Sequence, residues 1–217
     1  MKKISLIGLF LTISVAIFLY FFIVKDKSID VIQPTNSNIP IKLRNSYYYS
    51  EYHLNNKFVI YVDFSKSRNK KRLWIIDNGK VIANSYTSHG GGSHSSNYRP
   101  PNKFSNKIGS NQSSLGIYKI FSIKNMNPKK KHFCVCRDFV KTNKCSHYGK
   151  KFPLMGLEKS NYFSLVRGIL IHTSSFVSEK MCTGNSDGCF VVSPEVFEII
   201  QGKNINFFKK CYLVALK

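Results

Sequence analysis

Two residues of this sequence could together form a nucleophilic site. Cys189 stands in the stretch SDGCFVV (186–192), directly behind a glycine and at the head of an apolar run. His172 ends an earlier apolar run, GILIH. A cysteine needs a base or a positive neighbour to react as a thiolate near neutral pH, and a histidine on an adjacent strand can supply that base. If the two runs are neighbouring strands, the thiol and the imidazole can meet at one edge of a sheet.

The glycine before the cysteine fits the same chemistry. Gly188 allows the backbone to approach a substrate closely, and the amides around Gly188 and Cys189 could form an oxyanion hole. Two other interpretations of Cys189 stay open at this point, a buried core residue beside a structural histidine and one half of a disulfide. The spacing by itself favours the structural interpretation over the catalytic one.

The remaining cysteines leave several arrangements open. The chain has six cysteines, an even count that suggests disulfides in an oxidising compartment: Cys134, Cys136, Cys145, Cys182, Cys189 and Cys211. A disulfide within residues 124–151 and free thiols are both possible. A zinc cluster of the first three with His147 is a further reading, but C-x-C…C-x-H is not a common ligand spacing. We therefore expect no metal site.

Charge and the N-terminus bear on partners and compartment. Lys and Arg number 33 against 11 Asp and Glu, a net charge of +22 that indicates an anionic partner or a solvated basic surface. Residues 4–24 carry no charge, are long enough to span a bilayer and lack a small-residue cleavage pattern. We expect an uncleaved signal-anchor helix (1–24), with the body of the protein in the bacterial cell envelope outside the cytoplasm, or secretion if the segment is cleaved. This placement disfavours nucleic acid as the partner.

The elements that must position the two residues read as short strands. Residues 25–47 are polar and contain Pro34 and Pro40, which predicts a linker before a single domain at 48–217. Asn78-Gly79 between apolar runs predicts a tight hairpin. Ser193-Pro194 predicts the start of a short helix that ends before Gly202. Further strands are predicted at 57–64, 114–123, 168–174, 188–193 and 205–216, and 160–168 is a second candidate helix.

This pattern of short strands and few helices predicts a mainly β domain. We expect a mixed-sheet, β-sandwich-like or barrel-like architecture with one or two short helices. A long loop rich in Gly and Ser, beginning SHGGGS (88–93), separates the hairpin from residue 114. Loops of that length in a compact domain are often functional.

The chemistry-bearing residues sit in a wider pattern. The segment IHTSSFVS…GNSDGCFVV resembles the active-site signature of the bacterial L,D-transpeptidase catalytic domain, the YkuD-like family, in which a histidine and a loop precede Ser/Thr-x-Gly-Cys. The elements SSLG-x-Y, GLE-x-x-N and R-x-x-x-x-H occur in the expected order, and the similarity covers roughly residues 57–205. The resemblance implies a mostly β domain with a mixed sheet around the active site. It also implies an enzyme that acts on peptidoglycan stem peptides and needs no cofactor.

The resemblance assigns expected roles to individual residues. Cys189 would attack the carbonyl of the third stem residue and expel the terminal D-alanine, and His172 would be the general base. A small polar residue or a backbone carbonyl at Thr173 or Ser174 would orient the imidazole. Ser186, Gly188 and the Cys189 amide would shape the oxyanion site. Expected substrate-groove residues are His89, Gly90, Ser114 and Asp187, although a plain flexible connection is an equally good interpretation of the SHGGGS loop.

The acceptor and the activity stay open. An amine acceptor from a neighbouring stem gives a 3–3 cross-link, whereas water gives an L,D-carboxypeptidase, and a non-catalytic wall-binding module is a third possibility. Asp187 stands where the family often has a basic or aromatic residue, and Asn185 stands where it often has arginine. A carboxylate beside the thiol raises the thiol pKa and opposes thiolate formation. The resemblance, the N-terminal segment and the net charge together predict three partners: peptidoglycan stem peptides, the membrane through the N-terminal helix, and anionic envelope polymers.

Overall fold

The computed structural model describes residues 39–93, 98–121, 151–203 and 210–217. The described strands are β1 (Phe58–Asp63), β2 (Leu73–Asp77), β3 (Lys80–Ser85), β4 (Gly116–Ile120), β5 (Phe152–Gly156), β6 (Leu170–Thr173), β7 (Phe190–Val192) and β8 (Cys211–Leu216). The described helices are Ile41–Arg44, Tyr47–Glu51 and Pro194–Gln201, with short 3-10 turns at Leu54–Asn56 and Gly91–Ser93.

All eight of these strands follow one sheet order, β3-β2-β1-β8-β4-β5-β6-β7. The β1–β8 and β6–β7 pairs are parallel and the other pairs are antiparallel. After β3, the chain crosses to β7, the strand at the other end of the sheet. There Ser88 N donates to Val191 O at 3.2 Å, and Thr87 Oγ1 donates to the same oxygen at 2.8 Å. The mainly β, mixed-sheet prediction is confirmed, as one nearly closed sheet rather than two facing sheets.

The predicted hairpin and the predicted C-terminal helix are both present. Asn78 and Gly79 have φ of 47° and 76°, the left-handed values that a two-residue type I′ turn requires, and they join β2 to β3. Ser193 caps the helix Pro194–Gln201, because its Oγ accepts a hydrogen bond from Val196 N at 3.3 Å. Local turn and capping chemistry was sufficient to predict both elements.

The core explains why β1 is central. Phe58, Ile60 and Val62 belong to the larger core cluster, together with side chains of the helix Pro194–Gln201. The alternate residues of β1 belong to a second cluster that includes Leu43. Both faces of β1 are therefore buried, which matches its uninterrupted apolar sequence. Leu43 is fully buried although it falls in the stretch assigned to the linker from the sequence.

One expectation for secondary structure was wrong, and one strand was not predicted. Residues 160–168 form a series of turns, not a helix. Asn161 Nδ2 donates to Ile117 O at 2.9 Å and Ser164 Oγ donates to Leu154 O at 2.8 Å, so these side chains tie the segment to β4 and β5 and compete with helical bonding. Strand β5 was not predicted, because Pro153 within it argues against a strand.

Several expectations concern residues that the structure does not describe. Within the described residues, no helix is long and apolar enough to cross a membrane, and the expected anchor at residues 4–24 lies outside them. Cys134, Cys136, Cys145 and His147 also lie outside the described residues. The same is true of the first part of the predicted strand at 205–216.

Candidate active site

Strands β6 and β7 bring the two candidate catalytic residues to one face. The strands pair in parallel, with Ile171 opposite Phe190 and His172 opposite Val191. Since side chains alternate along a strand, Cys189, two positions before Val191, lies on the same face as His172. The expectation that the two apolar runs are neighbouring strands is confirmed.

The Cys189 thiol is buried at the beginning of β7. Its exposed fraction is 3%, and Sγ donates to Gly168 O at 3.6 Å. Burial is the main influence and raises the pKa of the thiol to about 11, and the charge of Asp187 acts in the same direction. The Leu170 amide and the Arg167 guanidinium oppose this shift. Near neutral pH Cys189 is therefore a thiol and not a thiolate.

The His172 imidazole is oriented as a base. Its Nδ1 lies 2.9 Å from the Thr173 carbonyl oxygen, and because a carbonyl can only accept, Nδ1 carries the hydrogen. In the neutral ring Nε2 is then unprotonated, and it is buried without a hydrogen-bond partner among the described residues. Burial lowers the pKa of His172, so the ring is neutral near pH 7.

A tight turn precedes the thiol. Ser186 Oγ donates to Cys189 O at 2.6 Å and accepts from Gly188 N at 3.2 Å. Gly188 has a φ of +117°, and a Cβ added there would lie 2.9 Å from Gln112 O. Only glycine fits this position without strain. Asp187, between Ser186 and Gly188, is exposed.

The SHGGGS loop holds this turn from the other side. The His89 carbonyl accepts from Ser186 N at 2.9 Å, and Gly91 N donates to Ser186 O at 2.7 Å. The His89 ring is fully buried, and its Nδ1 lies 2.8 Å from Arg72 Nη2. Burial, with the charge of Arg72, lowers the pKa of His89 to about 3. His89 therefore supports the turn at residues 186–189 through its backbone, while its neutral ring faces Arg72.

Two other expected groove residues have supporting contacts. Gly90 N donates to Ser113 Oγ at 2.9 Å. Ser114 is 1% exposed, and its Oγ accepts from Arg167 Nη1 at 2.6 Å. These contacts join the SHGGGS loop to the segment before β4, and that segment to Arg167.

Two arginines near the site were not predicted as site residues. Arg72 is fully buried, and its Nε and Nη2 donate to Thr87 O at 3.1 and 2.8 Å. It follows two lysines in the sequence, where it looks like surface charge, so the sequence held no signal for it. Arg167 did have a signal, because it begins the R-x-x-x-x-H element that ends at His172.

The segment between His172 and Cys189 is anchored to the rest of the sheet. Glu179 Oε1 accepts from Ser85 Oγ at 2.9 Å and also from Ser193 Oγ. Cys182 and Cys189 both carry free thiols, so the disulfide interpretation of Cys189 is excluded in this structure. In the described part of the chain, no group of His, Cys, Asp and Glu side chains could hold a metal ion.

Comparisons with known proteins bear on the family. The family model described as the L,D-transpeptidase catalytic domain, YkuD_2, matches residues 36–129 and 139–209. No curated protein matches the sequence. A solved L,D-transpeptidase from Xylanimonas cellulosilytica is similar at 14% identity with a TM-score of 0.33, and the match covers 74% of this chain and 61% of that one. Because the family model matches most of its length, the chain belongs to the L,D-transpeptidase catalytic domain family.

Proposed function

We propose that the protein is a peptidoglycan L,D-transpeptidase with Cys189 as nucleophile and His172 as general base. The observation that carries this proposal is the preset imidazole. Its Nδ1 is held by the Thr173 carbonyl, and its unprotonated Nε2 is buried on the face that carries the Cys189 thiol. A buried nitrogen with no partner costs free energy, and a proton acceptor for a thiol is a function that explains it.

The reaction begins with both groups neutral. As the stem peptide binds, Nε2 of His172 takes the thiol proton while Sγ attacks the carbonyl carbon of the third stem residue. The tetrahedral intermediate collapses by breaking the bond to the nitrogen of the terminal D-alanine, which receives the proton from the imidazolium. The product is a thioester on Cys189. The Cys189 amide, next to Gly188, is the donor placed to stabilise the oxyanion.

The second half-reaction transfers the acyl group. An amine of a neighbouring stem loses a proton to His172 and attacks the thioester carbon, which releases the Cys189 sulfur and forms a 3–3 cross-link. Water in place of the amine gives an L,D-carboxypeptidase. The choice depends on how the occupied groove excludes water.

The proposed location follows from the N-terminal sequence. Residues 4–24 carry no charge and would anchor the chain in the cytoplasmic membrane, with the catalytic domain outside. The net charge of +22 suits an environment of acidic wall polymers and anionic lipids. The substrate of the family is found in that compartment.

A β-lactam of the carbapenem class tests the nucleophile, because it acylates cysteines of this family. The purified full-length chain is incubated with the carbapenem and weighed intact, and then digested to locate the adduct. We expect one adduct on Cys189, lost in Cys189→Ser and retained in Cys182→Ser, which removes a second buried thiol of the same loop. No adduct on the folded wild type would refute the enzymatic proposal and favour a non-catalytic wall-binding module.

Muropeptides then separate transfer from hydrolysis. The chain is incubated with tetrapeptide muropeptides and the products are separated by mass. Dimers that lack one terminal D-alanine indicate transfer to an amine. Tripeptide monomers alone would identify a carboxypeptidase and refute the proposed acceptor.

A further inference from the structure

Arg167 is a partly buried cation next to the turn at residues 186–189 that precedes the Cys189 side chain. A Cβ added at Gly188 would lie 3.1 Å from Arg167 Nη2, so the guanidinium and the turn are in close contact. This partial burial lowers the pKa of Arg167, and the guanidinium stays charged. In the described residues, Arg167 forms no ion pair with a carboxylate.

The hydrogen bonds between Arg167 and other described residues go to neutral acceptors. Nη1 donates to Ser105 O at 2.8 Å and to Ser114 Oγ at 2.6 Å. Nη2 donates to Gln112 O at 2.5 Å and to Ser110 Oγ at 3.3 Å. These four bonds fasten residues 105–114 against the turn at Gly188, and none of them pairs the positive charge with a carboxylate of the described residues.

A charge that is partly removed from water without a counter-ion costs free energy, so a role for the charge would explain it. The nearest groups that can become negative and that feel this charge are the Tyr118 phenol and the Cys189 thiol. The phenol is fully buried and its burial raises its pKa far above neutrality. The thiol is therefore the only one of the two that becomes negative during the proposed reaction.

We propose that Arg167 is the positioning residue of the nucleophile, which fastens the 105–114 segment under Gly188 and places a fixed positive charge that favours the Cys189 thiolate. The role rests on the proposed function, since only a thiol that reacts needs this charge. Arg167 acts in opposition to Asp187, whose charge disfavours the thiolate. The charges of Arg167 and Lys151 favour the thiolate, whereas burial and the charge of Asp187 disfavour it.

A purely structural clamp is the competing explanation, and the pH dependence of thiol alkylation distinguishes the two. The full chain and its variants are treated with iodoacetamide between pH 6 and 10, unfolded and digested with trypsin. One tryptic peptide, residues 181–203, carries both Cys182 and Cys189. Fragmentation of this peptide measures the two alkylation rates, so Cys182 serves as an internal reference.

We expect Arg167→Met to lower the alkylation rate of Cys189 at pH 8 by about tenfold and to move its profile to higher pH, because an opposite charge nearby is worth about one pKa unit. Arg167→Lys keeps the charge and is expected to restore most of the rate. Ser110→Ala removes the hydrogen bonds that Ser110 Oγ accepts from Arg167 Nη2 and Gln112 N, keeps the charge and is expected to leave the profile unchanged. Cys182 is expected to react alike in every variant.

An Arg167→Met protein with reduced stability but the wild-type Cys189 profile would overturn the proposal. If Arg167→Met does not fold, Arg167→Gln, which is neutral but can still donate hydrogen bonds, takes its place with the same expected slowing. A Lys variant as slow as the neutral variants would also overturn the role of the charge. Alkylation needs no peptidoglycan, so a failure here is distinct from a failure of the carbapenem and muropeptide experiments.

Discussion

Acidification from pH 7 to pH 5 is expected to destabilise the protein through His89. The ring is fully buried and faces the Arg72 guanidinium at 2.8 Å, so protonation would place two positive charges together. Burial and this charge lower the pKa of His89 to about 3, against 6.5 for an unperturbed histidine. Below pH 6.5 the unfolded chain binds a proton at this residue and the folded chain does not. The stability that the neutral ring provides is complete above pH 6.5 and is lost progressively towards pH 3.

The magnitude follows from the gap between the two pKa values. Between pH 7 and pH 5 the linkage amounts to about 2 kcal/mol of unfolding free energy from His89 alone. The measurement is urea denaturation at both pH values, for the wild type and for His89→Asn. Asparagine keeps an oxygen acceptor for Arg72 but does not titrate, so the variant is expected to lose about 2 kcal/mol less on acidification. An identical loss in both proteins would refute the reasoning, because other histidines would then account for all of it.

Three further predictions concern the site. Asp187→Asn is expected to raise the alkylation rate of the Cys189 thiol about threefold at pH 8, because the Asp187 charge raises the thiol pKa and an exposed charge is worth only a few tenths of a pKa unit. Glu51→Gln changes a matched exposed carboxylate and is expected to leave the rate unchanged. A slower rate in Asp187→Asn would contradict the direction of the Asp187 effect. Gly188→Ala is expected to destabilise the fold by about 1–3 kcal/mol and to abolish carbapenem acylation. Gly109→Ala is its control, because Gly109 also has a positive φ of +74° but nothing lies within 4 Å of the added Cβ; equal losses in both variants would show that φ alone matters. Because burial lowers the pKa of His172, the acid limb of the acylation rate is expected below pH 6.5, and a midpoint at or above that value would contradict a buried neutral base.

The sequence was informative where chemistry is local. The turn at Asn78-Gly79 depends on two residues that accept left-handed φ, and the N-cap at Ser193 depends on one hydroxyl three residues before an amide. In these two places, the information that fixes the structure lies within a few residues of the sequence. Spacing alone favoured structural roles for Cys189 and His172, and it was the resemblance of their segments to the L,D-transpeptidase signature that predicted a catalytic pair.

The sequence was uninformative where side chains act across distance. Nothing near Arg72 indicated that it would be fully buried, because its acceptors at Thr87 and Lys66 come from other parts of the chain. Residues 160–168 were a candidate helix, but Asn161 and Ser164 bond to the backbone of strands that lie elsewhere in the sequence. Tertiary contacts override local propensity in both cases.

The near closure of the sheet ties the reactivity of the protein to the completion of folding. The turn that precedes the thiol is held by the segment after β3, about a hundred residues away, through Ser88 and His89. Contacts of such large sequence separation form late, after the local hairpins. A chain with only its local elements formed lacks the bonds from Ser88 and His89 that hold the turn at Gly188. The proposed acylating centre is therefore complete only in a chain whose sheet has closed.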